Sequence, residues 1–243
     1  MRTSNPALNE STFSTYAAAG EETMTIKGTV NKSFILIALV FSTAILSWDF
    51  IKTEGAIMYV IASAVIALIV GLITSFKPTW SPYTAPAYAL FEGVFLGAIS
   101  GFLDAIYPGV ALQAVLLTCG TFLCLLTAYR SGLIKATENF KLGIVAATGA
   151  IALIYLISFG LSFFGIQIPY IHGNGIIGIL FSVVVVVIAA LNLVLDFDFI
   201  EQGAERGAPK YMEWYASYGL LVTLVWLYIE ILKLLVKLMG RRD

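Results

Sequence analysis

The chain has 243 residues, of which 59% are hydrophobic and 12% charged, and its formal net charge is −1. A soluble domain carries about twice that charged fraction, so the composition points to lipid as the solvent for much of the surface. The near-zero charge gives no reason to expect nucleic acid or a strongly acidic partner.

In chain order, residues 1–31 form a polar segment rich in Ser, Thr, Asn and Glu. It lacks the basic, apolar and small-residue pattern of a cleavable signal and is expected to be a disordered tail. A membrane helix needs about 20 predominantly apolar residues. The stretches from Ser33 to Trp48, Gly55 to Phe76, Tyr83 to Leu103 and Ala105 to Tyr129 meet that need, the first with help from its flanks. From Leu142 to Leu195 there is no Asp, Glu, Lys or Arg, and the stretch is too long for one span. The turn formers between Gly165 and Gly175, with His172 among them, split it in two. A last span runs from Tyr215 to Met239. The expected fold is therefore all-α: seven transmembrane helices over 32–240, with lipid as the surrounding partner. Long continuous apolar runs favour helices over a barrel, whose strands would alternate in polarity every other residue.

Nine of the 14 Lys and Arg residues fall in the tail and the even-numbered loops. By the positive-inside tendency the N terminus is then cytoplasmic. The basic C terminus opposes this orientation, and six spans with a re-entrant last segment would remove the conflict. Cys119 and Cys124 lie five apart in one apolar run and suit neither a disulfide nor a shared metal site. They read as small packing residues. A single histidine excludes His-rich metal motifs.

Ionisable residues at membrane depth are costly and mark function by default. Glu92 interrupts the third span, Asp196 and Asp198 close the sixth, and Glu230 interrupts the seventh. Plainer roles exist for each: a buried protonated carboxyl for Glu92, a headgroup-level charge for Asp198, and an intrahelical pair with Lys233 for Glu230. Asp196 and Asp198 are roughly 200° apart around a helix, so they cannot both face one pore. Asp196 and Glu230 are equally far in sequence from Glu213. With a turn centred there, the two acids would meet at similar depth and could share a proton. Such a pair is also a hard oxygen site suited to calcium. Equal depth requires the two helices to project beyond the membrane, with 203–209 as the turn region. Gly93, Gly97 and Gly101 form overlapping G-x-x-x-G patterns, the mark of close helix packing.

These residues resemble the transmembrane Bax inhibitor motif family, in its bacterial branch. The resemblance lies in Leu193-Val-Leu-Asp-Phe-Asp-Phe-Ile200, where Asp196 takes the place of the family's Asp. It lies also in Leu227-Tyr-Ile-Glu230 with its basic, leucine-rich sequel, and in Phe91-Glu-Gly-Val-Phe-Leu-Gly97. Glu230 stands where the family has Asp, and an alternative register puts Leu227 there. Lys77 is the candidate for the family's basic partner, with Lys233 a second one in the last span. The resemblance implies a pH-sensitive calcium leak in a bacterial plasma membrane, linked to calcium homeostasis. Asp196 and Glu230 would form its gate, and Glu92 and Asp198 would line the ion path. Cations and protons are then the cargo, and no cofactor or enzymatic activity is expected. The alternatives are a non-transporting membrane partner that modulates proteases or stress responses, and an intramembrane aspartyl protease. The protease would need two Asp side chains around a water, and its usual motifs are absent. A rhomboid-like serine protease would need a Ser–His pair, for which Ser100 and His172 are poor matches.

Overall fold

The computed structural model describes 22–50, 55–165, 173, 175 and 176–240. Residues 1–21 of the tail expected to be disordered, the loop residue Lys52, His172, and the basic residues Arg241 and Arg242 therefore lie outside the described residues. Among the described residues seven long helices follow one another: α1 (Ile26–Ser47), α2 (Ala56–Phe76), α3 (Ser81–Ile106), α4 (Val110–Arg130), α5 (Glu138–Ser162), α6 (Ile176–Glu205) and α7 (Met212–Met239). All seven are long and apolar enough to cross a membrane. The all-α, seven-span expectation holds.

The helix ends move by a few residues for local reasons. Helix α1 begins at Ile26, inside the stretch expected to be tail. Thr25 caps it, its side-chain oxygen accepting from the Gly28 N–H. Helix α3 is preceded by a single 3-10 turn at Pro78–Trp80 and carries Pro82 in its first turn, where a missing N–H costs nothing. It runs on to Ile106. Asp104 then accepts from the N–H groups of Gly109 (3.0 Å) and Ala111 (3.3 Å) and so fixes the turn into α4. Helix α6 has 30 residues and spans about 45 Å, well beyond the roughly 30 Å hydrocarbon core. The turn into α7 occupies 206–211, with Gly207 at φ 64°. Glu213 is thus inside the first turn of α7, not at the centre of the connection.

The chain forms two compact units. One gathers the described residues of Pro6–Ala111 with Asp196–Val222, and the other gathers the described residues of Leu112–Leu195 and of Thr223–Asp243. In the first, α3 packs against both α1 and α2. The glycine stripe makes the α1 contact possible. A Cβ on Gly93 would come within 2.5 Å of the Val40 carbonyl oxygen. On Gly97 it would overlap the Ala44 carbonyl and the Ser47 hydroxyl, and on Gly101 the Trp48 carbonyl. Backbone against backbone at this range is what small residues permit in lipid, where no hydrophobic force drives helices together. The Ser47 hydroxyl adds a hydrogen bond to the Val94 carbonyl at 3.0 Å.

Candidate functional site

Three groups of polar side chains sit on this frame. In the unit built from α4, α5 and parts of α6 and α7, Glu230 is 1% exposed. Its two oxygens are separately engaged: Lys233, one turn further along α7, donates to Oε1 at 3.0 Å, and the Tyr155 hydroxyl of α5 donates to Oε2 at 3.0 Å. The Lys233 ammonium also lies 5.1 Å from the centre of the Tyr155 ring. One turn on, Lys237 donates to the Gly178 carbonyl (3.1 Å) and the Ser182 hydroxyl (2.8 Å) of α6. The intrahelical Glu230–Lys233 pair is therefore formed, and Tyr155 completes it from a second helix. In the same unit Asn192 donates to the Thr148 hydroxyl at 2.8 Å, tying α6 to α5.

In the unit built around α1, α2 and α3, Asp196 is 4% exposed, between Leu195 and Phe197. Asp198 is half-buried, and Gln202, one turn on, donates to its Oδ2 at 2.5 Å. Glu92 is half-buried beside Gly93 and lies within electrostatic range of the Tyr88 and Tyr218 hydroxyls. Tyr218 donates to the Gly71 carbonyl at 2.9 Å, lies 3.3 Å from the Ser75 hydroxyl and meets the Tyr88 ring edge-on at 5.1 Å. Lys77 lays its ammonium over the ring of Trp80, 4.4 Å from its centre.

The third group is centred on Glu213, also in this unit and fully buried. Oε1 accepts from the Thr25 N–H (3.0 Å) and the Thr25 hydroxyl (2.9 Å) and lies 3.2 Å from Lys210. Oε2 accepts from Lys32 at 2.6 Å. The carboxylate fills the space above Gly28 that any side chain there would take. A lone acid in the first turn of the last helix, with Lys210 three residues before it, is ordinary in sequence, and nothing in its spacing announces Lys32, 181 positions away. Tyr155 was equally hidden, since one tyrosine in an apolar span reads as packing.

The family model for Bax inhibitor 1 like proteins matches residues 5–240. The chain belongs to the Bax inhibitor 1 like family. Neither a curated protein nor a solved structure matches it. The match covers all seven helices and each acid described above, so this is an integral membrane protein of that family.

Proposed function

We propose that this family member is a pH-sensitive cation leak, with calcium as the first candidate cargo. Asp196 and Glu230 are the acids that govern it, and Glu92 and Asp198 line the ion path. The observation that carries the reading is the burial of two carboxylates on helices otherwise made for lipid: Asp196 at 4% exposure and Glu230 at 1%. A protein that only needed to span the bilayer would have no use for them, because each costs desolvation. A neutral acid offers a cation little, whereas a carboxylate attracts it, so flux rises as the pH rises from moderately acidic. Among the described residues no three His, Cys, Asp or Glu side chains gather as a metal cage.

The experiment is calcium entry into liposomes holding purified protein, with Asp196→Asn, Glu230→Gln and the double variant. Each single variant is expected to flatten the pH response, and the double variant to match either one, because a lost response cannot be lost again. Independent, additive shifts in the two single variants would contradict a shared pH response.

A further inference from the structure

Fully buried carboxylates are retained in proteins only with strong partners, and Glu213 has them from three segments. Thr25 comes from the cap of α1, Lys32 from the second turn of α1, and Lys210 from the turn between α6 and α7. Around this centre the chain before α1 is stitched to that turn. Thr23 and Pro209 pair as an isolated antiparallel bridge, and the Met24 N–H donates to the Ala208 carbonyl at 2.6 Å. Met24, 2% exposed, drops into a small core with Phe199, Ala208, Met212, Tyr215 and Ala216. The Ser217 hydroxyl lies 2.9 Å from the Thr29 carbonyl and 3.1 Å from the Ser33 hydroxyl, extending the seam one turn deeper. Lys210 keeps 43% of its side chain exposed and also reaches Glu22 at 3.7 Å.

We propose that this seam is an autoinhibitory strap: the segment leading into α1, held by Glu213, pins the α6–α7 turn, and its release frees the end of α6 that bears Asp196 and Asp198. Neither helix needs such a fastening in order to span the membrane. The α6–α7 connection is six residues long with a left-handed glycine, and it would be pliant on its own. Phe199 lies in the strap's core only three residues beyond Asp196 on the same helix, so movement of the strap reaches the acid directly. The regulatory part of this proposal rests on the transport reading above, whereas the fastening itself does not.

Two readouts separate them, both in full-length protein with Cys119 and Cys124 replaced by Ser. The first is maleimide labelling of Met24→Cys. With Glu213 present the buried thiol reacts slowly; Glu213→Gln is expected to speed the reaction about tenfold or more by freeing the segment. An unchanged rate overturns the strap. The second is calcium flux. Glu213→Gln is expected to raise it about threefold or more. The pair Thr23→Cys and Pro209→Cys faces across an antiparallel bridge at a spacing that accepts a disulfide. Oxidation is expected to lower flux, and reductant to restore it, which guards against a Glu213 variant that merely misfolds. Faster labelling with flux unchanged in both variants overturns the regulatory role. A wild-type protein that moves no calcium at any pH sinks the transport reading and the regulatory role with it, and the fastening is then decided by labelling alone.

Discussion

Glu230 has a donor on each carboxylate oxygen, and that division of labour predicts how its partners behave when removed. Tyr155→Phe keeps the ring and deletes the donor to Oε2. A buried acceptor left without its donor costs about 1–3 kcal/mol, and more when it is charged. Thermal unfolding in detergent should show that loss for Tyr155→Phe. The same change made on a Glu230→Leu background should cost far less, because the acceptor has gone. Equal losses on both backgrounds would mean that the hydroxyl contributes only by packing. Glu92 stands beside the glycine stripe of α3, half-buried. Glu92→Gln should keep the fold and alter calcium flux, while Glu92→Leu with stability and flux both unchanged would strip it of any role. The four acids in or at the ends of apolar runs could be read from sequence because an apolar run makes each one anomalous. Glu213 could not, since an acid near a helix start is ordinary. Its significance lies in Lys32, more than 180 positions away.

At the scale of helices, the glycine stripe makes the sharpest forecast. Gly97→Leu would drive a side chain into the Ala44 carbonyl and the Ser47 hydroxyl of α1. Overpacking of this kind costs about 1–3 kcal/mol. The matched control is Gly149→Ala in α5, where an added Cβ meets nothing within 4 Å. It should be neutral or stabilising by about 0.5–1 kcal/mol, the intrinsic helix preference of Ala over Gly. Comparable losses in both variants, measured as fraction folded against temperature, would remove the argument for close packing of α1 on α3. The stripe was legible because spacing by four puts residues on one face whatever the partner is. The partner, α1, was not legible, since any neighbouring helix would have satisfied the pattern. The turn region expected at 203–209 overlaps the observed connection at 206–211, but a centre at Glu213 does not, for a related reason. Hydropathy finds the apolar middle of a helix, but α6 continues as helix through Asp196, Asp198 and Glu201 to Glu205, and α7 starts at Met212. The equal spacing of Asp196 and Glu230 about Glu213 therefore does not coincide with the turn.

For the molecule as a whole, the distribution of basic residues predicts a cytoplasmic N terminus. Ser4→Cys, on a background without Cys119 and Cys124, should react with an impermeant maleimide only after the cells are opened. Efficient labelling in intact cells would invert the topology and put Glu213 and its lysines on the outer side. The central claim, that buried acids make this family member a proton-governed cation leak, is tested most directly by calcium entry into protein-loaded liposomes as external pH is varied. Entry by the wild-type protein should grow from acidic toward neutral pH, and the response of Asp196→Asn, in protein shown to be folded, should be flat. Wild-type entry no faster than in empty liposomes, or an Asp196→Asn variant with the wild-type pH profile, would contradict that claim.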